Sequence, residues 1–535
     1  MKYIELFAGC GGLSIGMKSS GFKLVLANEV SAMAAETFAY NLLNENLNSK
    51  DISHCFWLKS RFKKHDPRRL REDYRISSQL PKSEVFSDIP KPTNFNDLKG
   101  GMLIGDIRDL NGFVARSNKL RKEISNSFGD GQVDLVSGGP PCQSFSMAGL
   151  RNRDSDKNQL PWAFADFCSK IKPKMVLLEN VTGILRAFKS EGKLYYAWFE
   201  VAKAFSLKKC GYVPVCLHIN AKFVGAAQNR PRFIMLCFEV SLVKKIMSSG
   251  RLGEIGRKVF SRSLDFLAEV QGKGNCEYDS NFYYDLNKGH PIFDEFPFNI
   301  LKESPFGNEA ATVHDAIDDI KVAGLVGRKS HYVKVVNKLS KTLDTLSSHK
   351  GGVPPNHELR SNSLRVKARF RLYQIINEMD DKSVIKELKL FIKDPLVADI
   401  SDLVFDSIKK YSFIDSGGEP CFFSSKEELE SFLVLIKTKK QTQRALKSYL
   451  PAPAALSIPD DACHYDDKQL RTLTVREMAR FQSFPDKFEF RSKVTTGGKM
   501  RQFEVPQYTQ VGNAVPPILA EALGRVCREL LALGK

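Results

Sequence analysis

The chain has 535 residues, 42% of them hydrophobic, which is enough for two or three domains with large cores and excludes a disordered protein. Its formal charge of +19 and pI near 9.3 favour a polyanionic partner such as nucleic acid, although a membrane surface or plain solubility would also suit that charge. No run approaches eighteen apolar residues, the N-terminus enters a strand with no room for a cleaved leader, and the eleven cysteines form no Cys-x-x-Cys pair or zinc-spaced Cys/His cluster, so a soluble, metal-free intracellular protein is expected.

Tyr3 to Phe7 reads as a strand that runs into Ala8-Gly9-Cys10-Gly11-Gly12-Leu13-Ser14, a glycine-rich turn opening an amphipathic helix. Strand, glycine turn, helix is a nucleotide-cofactor opening, but Ser14 stands where a dinucleotide fingerprint has its last glycine, which disfavours NAD or FAD. The strand Lys23 to Ala27 ends in Asn28-Glu29-Val30, placing an acid where a ribose diol would lie, and Met102 to Gly105 ends in Asp106-Ile107. Either acid alone reads equally well as a helix cap; on successive strands the two favour an adenosine site. The 77 residues from Glu29 to Asp106 imply an insertion over about 44–100. Its core, Trp57 to Arg75, carries eight Lys/Arg against three acids with aromatics interleaved, and reads as a DNA-backbone arm or as a solvated helical face.

After the apolar strand Val133 to Val136 comes Gly138-Gly139-Pro140-Pro141-Cys142-Gln143-Ser144-Phe145-Ser146. Two prolines fix the backbone before Cys142 and two glycines admit another molecule, the framing expected of a nucleophile. The loop Ser144 to Arg153 holds Gly149 for flexibility, with Ser144, Ser146, Arg151 and Arg153 as candidate phosphate contacts, and reads as a lid. Met175 to Leu178 is the next apolar strand and ends in Glu179-Asn180-Val181; Gln228-Asn229-Arg230-Pro231-Arg232 leads into the strand Phe233 to Phe238. Further on, basic clusters run from Lys350 to Arg371 and from Lys437 to Lys447, Lys382 to Lys393 is an amphipathic helix, and a last helix spans about Pro517 to Leu533. There is no internal repeat, low-complexity tract or coiled-coil heptad.

Taken in order, Phe7 to Gly12, Pro140 to Gln143, Glu179 to Val181, Gln228 to Arg232, Arg471-Thr472-Leu473-Thr474-Val475-Arg476-Glu477, Phe484-Pro485-Asp486 and Val511-Gly512-Asn513-Ala514-Val515-Pro516-Pro517 resemble the cytosine-5 DNA methyltransferase family. One departure is Ala226-Ala227 before Gln228, where the family often has a proline. The resemblance implies an α/β, Rossmann-like catalytic domain with a mixed, mostly parallel sheet over 1–240, a target-recognition domain over 241–465, and a segment 466–535 that completes the catalytic domain. It implies S-adenosylmethionine as cofactor, leaving as S-adenosylhomocysteine. Phe7 would pack on the adenine, Gly9, Gly11 and Gly12 would admit the methionine end, and Glu29 with Val30 would take the ribose. Asp106 with Ile107 would take the adenine amine, while Pro140, Leu160, Asn513 and Val515 would close the site. Cys142 would attack carbon 6 of a flipped cytosine. Glu179 would hold N3 and the exocyclic amine, its alternative reading being a helix cap. Arg232 and Arg230 would bond the base carbonyl or position Glu179, a structural ion pair being the alternative for Arg230. Gln143, Ser144, Ser146, Arg151, Arg153, Asn180 and Gln228 would contact the substrate.

The expected substrate is therefore duplex DNA, methylated by a monomer in a prokaryotic cytoplasm, away from membranes, alongside a restriction or defence system. A tRNA cytosine-5 methyltransferase and a catalytically silent DNA-binding scaffold remain as alternatives. Methylation at an exocyclic amine would need an Asp/Asn-Pro-Pro-aromatic motif, where this chain has Pro140-Pro141-Cys142.

Overall fold

The computed structural model describes residues 1–49, 52–63, 66–72, 95–141, 159–190, 193–274, 276–395, 399–438, 440, 443–454 and 457–535. In chain order its first twelve strands are β1 (Lys2–Leu6), β2 (Lys23–Glu29), β3 (Cys55–Trp57), β4 (Gly101–Ile104), β5 (Leu135–Gly138), β6 (Met175–Val181), β7 (Ala187–Ser190), β8 (Lys193–Tyr196), β9 (Tyr212–Asn220), β10 (Gln228–Asn229), β11 (Pro231–Glu239) and β12 (Tyr283–Asp285). Nine of these form one sheet in the order β12-β9-β11-β6-β5-β1-β2-β4-β3. All neighbours are parallel except β11, which runs antiparallel to both β6 and β9. This is the mixed, mostly parallel α/β sheet expected.

Strands buried on both faces need continuous apolar runs, and β6 meets the requirement: Met175, Val176, Leu177 and Leu178 are all fully buried. Alternate side chains enter opposite layers, Val176 and Leu178 packing with Phe164 and Trp198, Met175 and Leu177 with Leu519 and Leu523 of the C-terminal helix. Strand order reverses between β1 and β5, which opens a crevice at the carboxyl ends of those strands.

The C-terminal helix Pro517–Leu533 lies against Gly12–Ser19, the first helix. The two backbones approach so closely that a Cβ on Gly16 would stand 2.3 Å from the Glu521 nitrogen. The last residues thus complete the layer that covers β1.

The middle of the chain divides differently from the expected 241–465 unit. Leu242, Phe260, Ile292 and Leu301 share a core with β9, β11 and the C-terminal helix, and Val313, Ile317 and Tyr332 share one with β2 and β4. A separate core begins only at Ala368 and is built from the helices Leu364–Glu378, Lys382–Lys393, Asp402–Ile408 and Lys426–Leu435. The stretch from 241 to about 340 is therefore part of the catalytic layers, and the second lobe is smaller and mainly helical.

The insertion adds β3 to the sheet edge, parallel to β4. Trp57 donates from Nε1 to the Glu72 carbonyl, Arg69 is buried, and Arg71 donates to the Gln502 carbonyl. Arg69 and Arg71 thus face the protein itself, whereas Arg61 and Arg68 are exposed.

Candidate active site

The crevice carries the sequence tags on neighbouring strand ends. β5 delivers Gly139-Pro140-Pro141, and β6 delivers Glu179 and Asn180 beside it. A Cβ on Gly139 would stand 2.9 Å from Glu179 Oε2, so glycine at this turn is what lets the carboxylate approach. Asn180 donates from Nδ2 to the Pro140 carbonyl at 2.8 Å, and its Oδ1 accepts the Val181 N–H. The turn that leads to Cys142 is thereby tied to the strand that holds Glu179. Cys142 itself, with Gln143, Ser144, Ser146, Arg151 and Arg153, lies outside the described residues.

The antiparallel pairing of β11 on β6 sets Arg232 opposite Val181, so its side chain reaches Glu179 on the same face. Arg232 Nε stands 2.6 Å from Glu179 Oε1, a close ion pair, with both side chains about nine-tenths buried. Arg230 is used elsewhere. It is buried at 2% exposure; its Nη2 donates to the Gly512 carbonyl at 2.7 Å and the Ala514 carbonyl at 2.8 Å, and its Nη1 to the Ala454 carbonyl at 3.3 Å. Its Nη groups fasten the C-terminal segment to the sheet through carbonyls, while its buried Nε has no hydrogen-bond partner among the described residues. Gln228 is likewise committed, pairing with Ala452 along β10 and donating to the Pro453 carbonyl at 2.9 Å.

On the other side of β1 the glycine turn stands next to Glu29. Gly9 N–H donates to Glu29 Oε2 and Ser31 N–H to Oε1, each at 2.8 Å, which leaves each oxygen with capacity for a hydroxyl donor. Burial pushes the Glu29 carboxyl up, against the pull of these N–H groups. Space above Gly9 is open, with no atom within 4 Å of a built Cβ. Phe7, in the left-handed region at φ 55°, packs its ring 6.2 Å from Phe164. Leu160 opens the helix Leu160–Ile171, Val30 is half-buried, Ile107 is buried, and Asn513, exposed, ends the helix Gln507–Asn513. Gly11 caps the first helix, and Gly12 admits the Val515 carbonyl. An aromatic ring, a carboxylate with spare acceptor sites and open space at a glycine turn fit an adenosine-bearing cofactor.

Asp106 departs from its expected role as a free acceptor. It caps the helix Ile107–Arg116 through the Arg108 N–H, and its carboxylate takes Arg108 Nη2 and Arg61 Nη2, each at 2.8 Å. Burial would raise its pKa, but Arg108 and Arg61 overcome that and hold it at about 2. Arg61 comes from the insertion, so the added edge strand supplies a side chain to the rim of the crevice.

The family model for C-5 cytosine-specific DNA methylases matches residues 1–66 and 94–529, spanning every element just described. The chain belongs to the C-5 cytosine-specific DNA methylase family. Type II methyltransferase M.Bpa9945I of Bacillus paralicheniformis is 24% identical to this methylase over 99% of both chains. Type II methyltransferase M.DdeI of Desulfomicrobium norvegicum is 24% identical over 98% of this chain and 87% of its own. Among solved structures, a DNA modification methyltransferase encoded within an E. coli prophage aligns over 99% of both chains at 18% identity with a TM-score of 0.44. As a member of this family the methylase acts on carbon 5 of cytosine in DNA, and the family implies S-adenosylmethionine as methyl donor.

Several site residues of the methylase escaped sequence reasoning. Glu5 is fully buried under the glycine turn, accepting from Ser14 Oγ, which in turn accepts from the Tyr3 hydroxyl at 2.8 Å. Burial, only partly offset by Ser14 and reinforced by Glu29, pushes its carboxyl up to about 8. An acid inside an apolar strand was the available signal. Arg480 links Asp319 and Asp486 in a fully buried cluster, and Arg471 grips Glu477 with both Nη groups, at 2.9 and 2.7 Å. These three pairs hold 471–486 together and tie it to Asp319 of the catalytic layers. The only membrane-related observation is that no described helix is long and apolar enough to cross a bilayer.

Proposed function

We propose that this methylase transfers a methyl group to carbon 5 of a flipped-out cytosine in a specific duplex DNA sequence, with Cys142 as nucleophile, Glu179 as the acid at N3, and Arg232 as the residue that positions Glu179. The observation that carries the reading is the contact set around the β5 turn: Glu179 against Gly139, Arg232 on Glu179, and Asn180 on Pro140, two residues before Cys142.

Carbon 5 of cytosine becomes nucleophilic once a thiolate adds at carbon 6 and the ring takes a proton at N3. Glu179 faces that nitrogen and favours its protonation as the thiolate attacks. Arg232 fixes the carboxylate in one orientation. S-adenosylmethionine supplies the electrophilic methyl group; Phe7 and Glu29 would hold its adenosine, and the segment Asn513 to Val515 would close over it. A water molecule takes the proton from carbon 5 and Glu179 takes back the proton from N3 as the thiolate is expelled, which restores the aromatic base and the free cysteine, with S-adenosylhomocysteine leaving.

The remaining cysteines favour the assignment of Cys142. Burial raises the pKa of every described cysteine, Cys10 to about 12 and Cys276 to about 11, and none of the ten lies on the turn after β5. The type II names of its bacterial relatives support a modification role beside a restriction endonuclease; our reading of the methylase as a monomer in a prokaryotic cytoplasm adds to that. The test is transfer of labelled methyl to duplex DNA by the protein and by Cys142→Ser, with tRNA as competitor. Loss of transfer in Cys142→Ser, with DNA binding retained, is expected. Unchanged turnover removes Cys142 from the mechanism, and preferential labelling of tRNA removes the DNA assignment.

A further inference from the structure

The amphipathic helix Lys382–Lys393 presents Lys386, Lys389 and Lys393, one turn apart, along a single face. That face lines a cavity of about 710 Å³, whose other wall carries Arg444 and Lys447 and whose edge reaches Asn229 of β10. Among the described residues that line it there is no carboxylate. Lys440, also at the rim, is committed to Asp460 at 2.6 Å.

Lys386, Lys389, Lys393 and Lys447 crowd one concavity and repel each other. Burial, together with Arg444 and Lys447, pushes the Lys389 ammonium down. Folding tolerates such crowding where a polyanion relieves it. Asn229 places one edge of the cavity on β10, three residues before Arg232, at most about 11 Å of extended chain.

We propose that this cavity is a phosphate clamp, in which Lys386, Lys389, Lys393 and Lys447 grip the DNA backbone beside the strand that leads to Arg232. The clamp rests on the proposed function, because it takes duplex DNA as the substrate. Lysine is suited to this duty: a compact point charge on a flexible stem neutralises phosphate without reading a base. The clamp would set the register of the duplex and leave choice of sequence to other parts of the second lobe.

The test is the full chain carrying Lys386→Ala, Lys389→Ala and Lys393→Ala together, compared with the unaltered protein and with Lys258→Ala. Lys258 lies on another helix in an exposed pair with Glu254 and serves as control. Binding to a duplex is followed by fluorescence anisotropy across a series of salt concentrations, with thermal melting to check the fold. The slope of log affinity against log salt should become shallower by about 0.9 for each phosphate contact removed, with affinity at low salt falling at least about tenfold. The control should leave the slope unaltered. An unchanged slope in the triple variant overturns the clamp, and so does a changed recognition sequence, which would mean that the lysines read bases. Should the triple variant melt early, Lys389→Glu alone must still flatten the slope, or the proposal falls. Anisotropy needs no turnover, so absence of methylation by the unaltered protein counts against the proposed function and leaves the slope comparison readable.

Discussion

The carbonyl oxygen of Val515 stands 2.3 Å from the place a Cβ on Gly12 would take, so the first glycine turn and the C-terminal segment share one packed boundary at the cofactor crevice. Gly12→Ala must push that segment away. Overpacking of this kind costs about 1–3 kcal/mol. Cofactor affinity measured by titration calorimetry should fall by about tenfold or more, with a lower melting temperature; unaltered affinity would show that Val515 does not close the site.

Two neighbouring arginines should fail in different ways. Arg230→Met removes three hydrogen bonds to the carbonyls of Ala454, Gly512 and Ala514, and should cost about 2–4 kcal/mol in chemical denaturation. Arg232→Met frees Glu179 and should lower kcat by about 10²-fold or more with little change in cofactor affinity. Equal losses of kcat in both variants would return Arg230 to the base.

Asn180→Ala should loosen the thiol's turn without touching the cofactor pocket. Losing its bond to the Pro140 carbonyl is worth about 1–2 kcal/mol, or roughly 5- to 30-fold in the rate of covalent complex formation. Rapid-quench trapping of the DNA adduct measures that rate, and an unaltered rate would mean that the prolines alone hold the turn.

Glu5 gives stability a pH dependence of definite sign. Its folded pKa, about 8, is above the ordinary glutamate value, so the folded state holds a proton that the unfolded chain has released. The corresponding stability is complete below pH about 4.3 and is lost as pH rises through about 8. Glu5→Gln should flatten the fall between those limits in urea denaturation at stepped pH. Parallel profiles for the two proteins would mean that Glu5 is already ionised at neutral pH.

Much of the catalytic centre was legible in the sequence because it sits where apolar strands end. The glycine turn after β1, Glu29 at the end of β2 and Glu179 near the end of β6 are placed by strand period and punctuation, with the family resemblance supplying their roles, and the sheet brings them to one edge. The boundary of the second lobe was not legible. The helices Val240–Ser248 and Glu254–Lys273 each bury one face, but a buried face does not reveal which sheet buries it. Arg230 escaped for a related reason, since its partners at Gly512 and Ala514 are 282 and 284 residues away. Asp106 was read as an acceptor because Arg61, the cation that occupies it, arrives from an insertion.

The tie between Arg230 and Ala514 also sets a clock on biosynthesis. The ribosome must add 284 residues after Arg230 before its guanidinium meets that carbonyl, on the order of 15–60 s at bacterial elongation rates. During that interval the strands that carry Glu179 and Arg232 are already made, but the wall formed by Val515 is missing, so a chain interrupted before Val515 lacks the boundary against which Gly12 packs.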